Sequence, residues 1–268
     1  MNIIVCIKQV PDTTEIKIDP IKKTLIRDGV PGILNPFDGY ALEAALRIKD
    51  KNPSVKITAV SMGPQQAKAV LKEAVSLGCD QAYLVSDRAF GGSDTLATSY
   101  ILSNAIRQIE KKDGITFDLI MCGKQAIDGD TAQVGPEIAE HLDISQVTCA
   151  WEAAANEDLS VTVKREVEEG YEMVKVSTPC LITFTKPSFN LRYATIKGKL
   201  KANRFEPQVL TAEDVPMDLT RAGLKGSPTK VKKTFTPEVK TGGMIIEEET
   251  ETASVAKLTD LLMEAHII

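Results

Sequence analysis

Cys122 to Gly135 reads CGKQAIDGDTAQVG and gathers side chains that could take part in chemistry. Asp128 and Asp130 stand two residues apart and could act as metal ligands or as a general acid and base. A metal would need further carboxylates or histidines, and no histidine or nucleophile accompanies the pair, so Asp-Gly-Asp reads first as a turn and no metal is expected. The remainder is glycine, side-chain amide and hydroxyl, which suits a nucleotide held by backbone and neutral groups. Asn35-Pro36-Phe37-Asp38 offers an amide suited to an adenine edge, or more plainly a loop with Asp38 as a helix N-cap. Ser86 to Thr95 reads SDRAFGGSDT. There Arg88 could pair with charge, Gly91 and Gly92 permit close approach of a ligand, and Asp94 can cap the helix beginning at Thr95, whose N-terminus would attract phosphate.

These stretches must be positioned by a scaffold, and the first half of the chain alternates strand and helix patterns. Apolar runs at Ile3 to Lys8, Val55 to Met62, Gln81 to Val85 and Phe117 to Met121 predict strands. Helical periodicity covers Asp38 to Lys49, Gln65 to Leu77, Thr95 to Lys112 and Pro136 to Leu142. Strands separated by helices of this length imply a mostly parallel sheet with crossover helices, an α/β fold. Its carboxyl edge would bring together Cys6 to Lys8, Ser61 to Gly63, Ser86 to Thr95 and Cys122 to Val134, where such sheets bind ligands. Neither G-x-G-x-x-G nor a G-x-x-x-x-G-K-[ST] loop occurs, so the expected fold is Rossmann-like without the glycine fingerprint.

After about residue 145 the texture changes. Val161, Val163 and Val167 alternate with polar residues, Glu168-Glu169-Gly170 can turn, and Glu172 to Ser177 returns extended, which predicts an antiparallel hairpin. Leu181 to Thr185 reads as another strand, and the chain from Lys186 onward as polar and irregular. Pro207, Pro216, Pro228 and Pro237 punctuate residues 203–253, which read as poor material for an independent core. Ser254 to Ile268 recovers helix periodicity, and its apolar face calls for another subunit. The expected division is a nucleotide-binding α/β domain over 1–202 and an extended C-terminal arm over 203–268.

Composition narrows the class. Apolar content is 43% and charged content 26% across 268 residues, ordinary for a globular protein. A net charge of −5 and sparse aromatics among the lysines after Arg192 argue against nucleic acid. No apolar run approaches the roughly 20 residues of a membrane span. The N-terminus enters a strand pattern at once without a signal or transit segment, so a cytoplasmic protein is the expected reading. None of the five cysteines forms a C-x-x-C pair, which predicts buried small apolar groups rather than a metal or disulfide framework. His141 and His266 read as structural or surface residues.

Taken together, these motifs resemble the β subunit of electron-transferring flavoproteins. The most specific stretch is Val163 to Thr183, with Arg165, Glu168-Glu169-Gly170, Glu172, Val174 and Pro179 before Leu181-Ile182-Thr183. The CGKQAIDGDTAQVG loop, Asn35-Pro36-Phe37-Asp38 and Arg192-Tyr193-Ala194-Thr195 match as well. The resemblance implies a heterodimer with an α subunit that carries a mobile FAD. It implies a nucleotide held by Cys6, Asn35, Pro36, Phe37, Asp38 and Met62, and by the loop residues Gly123, Lys124, Gln125, Ala126, Asp128, Gly129, Asp130, Thr131, Ala132, Gln133 and Val134. Lys8, Gly63, Asp94 and Thr95 join them as strand-end and helix-start residues. Asn190 to Ala202 would be a docking loop for partner dehydrogenases, with Arg192, Tyr193 and the apolar anchor Ile196.

Two kinds of β subunit exist within the resemblance. One holds AMP as a structural ligand in a simple electron carrier. The other holds FAD, accepts electrons from NADH and bifurcates them, to the α-subunit FAD with an acyl-CoA dehydrogenase beyond it, and to ferredoxin or flavodoxin. The Asp87 to Thr95 loop looks like the bifurcating kind, with Arg88, Gly91, Gly92 and Ser93 expected against NADH. In either case the protein would be a redox-active subunit with no catalytic side chain, since the cofactor carries the chemistry. An ATP-dependent enzyme of the related adenine-nucleotide fold is disfavoured. The place of its pyrophosphate loop holds Lys8-Gln9-Val10-Pro11-Asp12.

Overall fold

The structure, a computed structural model, describes residues 1–12, 31–232 and 242–268. Pro237 lies outside them. The chain runs β1 (Asn2–Cys6), β2 (Gln9–Pro11), β3 (Gly32–Leu34), α1 (Pro36–Lys51), β4 (Lys56–Met62), α2 (Lys68–Leu77), β5 (Gln81–Val85), α3 (Thr95–Asp113) and β6 (Leu119–Gly123). It continues with α4 (Val134–Leu142), β7 (Ser145–Ala155), β8 (Ser160–Val167), β9 (Gly170–Ser177), β10 (Cys180–Phe184), α5 (Ile196–Arg204), β11 (Gln208–Leu210), α6 (Gly223–Gly226) and α7 (Glu251–Glu264).

A single sheet of nine strands takes the order β11-β5-β4-β1-β6-β10-β7-β8-β9. The pairings from β11 to β7 are all parallel, and β8 and β9 add antiparallel beyond them. The expected α/β fold with crossover helices and a hairpin addition is therefore the fold observed. Alternation along the strands sends Ile3, Val5, Ile57, Ala59 and Met121 to one face, where they pack with Leu42, Ala45, Leu71 and Ala74 of α1 and α2. Ile4, Cys6, Val60, Tyr83 and Ile120 face the other way onto Ile101, Ile106 and Ile138 of α3 and α4. Helices on both faces explain why the central strands are apolar throughout rather than alternating.

Three features differ from the sequence expectation. β7, SQVTCAWEAAA, has no alternation and ends in alanines of low strand propensity, yet it is held on both sides by β10 and β8. Within the stretch expected to be irregular after Lys186 lies α5, capped by Thr195, whose hydroxyl accepts the Gly198 amide at 3.0 Å. β11 pairs with β5, and Leu210, Val215 and Ala222 are buried, so one compact unit extends through Lys232.

A second unit includes the described residues 242–268. Its helix α7 starts at the cap Thr250, and Val255 and Leu258 on it are exposed. No helix among the described residues is long and apolar enough to cross a membrane.

Candidate functional site

The order of the strands creates a crevice. From β1 the chain builds outward through β4 and β5, then returns to place β6 on the other side of β1. The carboxyl ends of β1 and β6 thus flank a topological switch point, the usual ligand position in an open α/β sheet. Cys6 and Cys122 stand opposite each other in register at these ends.

Asp38 closes the floor of the crevice. It lies in the first turn of α1, and Asn35, not Asp38, is the capping position. The expected cap role is therefore replaced by a longer reach. The Lys8 amide donates to one carboxylate oxygen of Asp38 at 2.7 Å, and the Gly123 amide donates to the other at 2.9 Å. One side chain ties together the ends of the two strands where they separate. Gly123 must be glycine: a Cβ there would stand 2.5 Å from the Asp38 carboxylate and 2.6 Å from the Phe37 carbonyl carbon.

Burial pushes the Asp38 carboxyl up to about 7 against the opposing pull of hydrogen bonds from Asn35, Lys8 and Gly123. Burial also pushes the Cys6 thiol up to about 12, with Asp38 adding to it, and raises Cys122 well above the usual thiol range. Both thiols stay neutral and serve as packing, not as nucleophiles. Cys79 and Cys180 are buried as well, Cys149 is partly exposed, and all five are free.

Asn35 builds the wall. Its side-chain amide donates to the Gln125 carbonyl at 2.9 Å, and its side-chain oxygen accepts the Ile127 amide at 3.2 Å. The Asn35 side chain thus fixes the Gly123 to Val134 loop. Lys8 pairs with Asp128 at 2.6 Å, and the Gln125 side chain donates to Asp130 at 2.7 Å. Asp130 is thus engaged within the loop, and Asp128 ties the loop to the segment after β1. Asp130 and Ala132 adopt φ of 51° and 54°, so the loop doubles back before α4. Lys124 is tied down by its amide, which donates to the Phe184 carbonyl at 2.7 Å. Gly129, Thr131 and Gln133 are exposed at the rim, and Ala126 and Val134 partly so.

Two long elements begin at this edge, and their starts differ. The start of α3 is already filled. Asp94 accepts the Ala97 amide at 3.1 Å and the Thr229 amide at 3.0 Å. The start of α4 has no side-chain cap among the described residues. Its first amides, on Val134 and Gly135, are the orphan donors that attract an anion. Thr95 bridges the two helices, its hydroxyl lying 3.2 Å from both Gln133 Oε1 and Glu137 Oε1. The other carboxylate oxygen of Glu137 is buried without a partner. Glu137 is a site residue the sequence reading missed. An acid in a first helical turn is visible in sequence, but its meeting with Thr95, 42 residues away, is not.

Met62 ends β4, and the Gly63 amide donates to the Val85 carbonyl at 3.1 Å, which brings both to the same edge. The Ser86 to Thr95 loop arrives there too, but in company. The Gly223 amide donates to the Ser93 hydroxyl, the Asp94 amide donates to the Ser227 hydroxyl, and the Ala212 amide donates to Asp87. Gly92 (φ 74°) packs under Leu224, whose side chain would stand 2.6 Å from any Cβ at that position. Arg88 and Gly91 are exposed. Gly92 thus has a structural use beneath Leu224.

The expected docking residues lie elsewhere. Tyr193 and Ile196 are 95% and 82% exposed. Arg192 instead turns inward, with its guanidinium on Glu43 at 2.8 Å and on Asp50 at 2.6 Å. The place of a pyrophosphate loop after β1 is taken by β2, which pairs antiparallel with β3.

An electron transfer flavoprotein domain matches residues 22–215. Over its whole length the chain is 53% identical to the electron transfer flavoprotein subunit beta of Megasphaera elsdenii, again covered in full. It is 49% identical to the protein of the same name from Thermoanaerobacterium thermosaccharolyticum, with both chains covered in full. It is also 46% identical, at full coverage of both chains, to subunit CarD of the caffeyl-CoA reductase-Etf complex of Acetobacterium woodii.

Proposed function

This chain belongs to the electron transfer flavoprotein β subunits, and from that premise we propose that it holds FAD in the crevice between β1 and β6 and bifurcates electrons taken from NADH. One electron passes to the FAD of an α subunit and on to an acyl-CoA dehydrogenase, the other to ferredoxin or flavodoxin. The family itself carries electrons and pairs this subunit with an α subunit.

The observation that carries the nucleotide part is the uncapped first turn of α4 at the switch point. Its free amides suit a pyrophosphate, and the Asn35-braced loop suits the adenosine end. FAD, when bound, supplies hydride acceptance and one-electron release. The residues of this chain bind and orient it. Asp38 fixes the two strand ends, the Gly123 to Val134 loop walls the crevice, and neutral Cys6 and Cys122 keep the floor free of reactive sulfur. Exposed Arg88 and Gly91 on the neighbouring loop support a place for NADH, Arg88 pairing with its phosphates.

A second reading has its own support. Leu224 over Gly92 and the filled start of α3 favour a smaller occupant, AMP, in a non-bifurcating carrier. Counting cofactors released from the purified heterodimer separates the two. Bifurcation predicts two FAD per αβ pair and flavin bleaching on addition of NADH. One FAD with one AMP, and no bleaching, overturns it in favour of the carrier.

A further inference from the structure

Helix α1 carries the nucleotide-side residues at its start and a second polar anchor on its later turns. Glu43 is only 5% exposed, on the side of α1 that meets residues 189–192. Arg192 grips it with a fork, Nε to one oxygen at 2.8 Å and Nη2 to the other at 3.0 Å. The Arg192 amide adds a bond to the same carboxylate at 3.2 Å, and Nη2 reaches Asp50 at 2.6 Å. The guanidinium holds the Asp50 carboxyl below the usual range, and Glu43 with Asp50 raises Arg192 further above its own. A cation–π contact and an apolar contact reinforce the fork. The Arg47 guanidinium lies 4.5 Å from the centre of the Phe189 ring, and Leu191 packs over Gly39. Immediately after this pinned stretch, Tyr193 and Ile196 project into solvent, followed on α5 by Lys197, Lys199, Lys201 and exposed Leu200.

The geometry points to Arg192 as a positioning residue and not a docking contact. Its fork onto Glu43 and Asp50 holds 189–195 against α1, so that Tyr193 and Ile196 are presented, pre-ordered, to an apolar recess with an acidic rim on a partner acyl-CoA dehydrogenase. A guanidinium with its donors in two carboxylates has little left for a partner, and a pre-ordered loop loses less conformational freedom on binding. This inference rests on the docking reading of residues 190–202.

The test uses the αβ heterodimer carrying Arg192→Gln, Glu43→Gln, both together, and Asp50→Asn, with a purified acyl-CoA dehydrogenase as acceptor. Each single change at the buried arm should raise the KM for the dehydrogenase about tenfold with kcat and bound nucleotide unchanged. The double variant should be no worse than either single one, because both remove the same interaction. Amide hydrogen exchange over residues 189–196 should quicken in every variant. A direct docking role for Arg192 predicts the opposite at Glu43: freeing the guanidinium would leave KM at or below wild type, and that result overturns the proposal. Unchanged exchange overturns it too. If Glu43→Gln does not fold, Asp50→Asn at the exposed arm should show the same direction at about threefold. A wild-type heterodimer that never saturates with the dehydrogenase refutes the docking reading itself, and the exchange measurement then still decides the latch.

Discussion

Asp38 accepts amide protons from Lys8 and Gly123 while buried between the ends of β1 and β6. Its carboxyl titrates at about 7 because burial disfavours the charge more than its hydrogen bonds favour it. The ordinary value in an unfolded chain is about 4. Between those values the folded chain binds a proton that the unfolded chain has released. The contribution of Asp38 to stability therefore falls as pH rises from about 4 to about 7, and is constant above. Asp38→Asn removes the titration. Urea midpoints at pH 5, 6, 7 and 8 should show wild type losing stability relative to the variant by about 1 kcal/mol per pH unit up to pH 7. Parallel pH profiles would refute this account. At this scale the identity of the residue was legible, but not its use. A carboxylate beside a helix start reads as a cap, because its reach to Gly123, 85 residues away, is invisible locally.

Helix starts and loops form the next scale. Asp94 was legible as the cap of α3, since the cap depends only on residues three apart. Its second partner, the Thr229 amide, comes from 135 residues further on. Asp94→Ala should remove the cap and leave that amide unpaired, costing about 2 kcal/mol in urea denaturation, while Asp94→Asn keeps most of the cap. Burial pushes the Asp94 carboxyl up, but hydrogen bonds from Ala97, Thr229 and Ser227 together outweigh it and hold the carboxyl below the usual range. Its contribution is present above the ordinary carboxylate pKa and lost as pH falls below it, opposite in sign to Asp38. The glycines beside it suggest room for a ligand in sequence, and Leu224 lies over one of them, Gly92. β7 escaped the sequence pattern for a related reason. Its alanines carry little strand propensity, and its conformation comes from β8 and β10 on either side.

Across the whole compact unit, the crevice proposed for the nucleotide and the segment proposed for docking occupy opposite edges of the sheet. The crevice lies at the carboxyl ends of β1, β4 and β6. The segment proposed for docking lies near their amino ends, with Arg192 on Asp50 at the close of α1 and Lys201 donating to the Cys79 carbonyl just before β5. A strand as long as β4 separates these edges by about 20 Å. The Ile196 side chain therefore stands clear of the crevice. Ile196→Asp should therefore raise the KM for the dehydrogenase at least tenfold, while the cofactors released on denaturation stay as in wild type. Loss of nucleotide in this variant would show that the edges are not independent.

Alternating strand and helix periods, the missing glycine fingerprint and the Cys122 to Gly135 loop determined the α/β class and the family, and placed the loops of the proposed site at one carboxyl edge. These signals are local, carried by residues within one or two turns or strands of each other. Tertiary structure alone decided that Asp38 clamps two strands, that Asn35 braces the loop, and that Arg192 faces inward. Each of those depends on partners tens of residues or more away, and only the order of strands in the sheet brings such partners within hydrogen-bond reach.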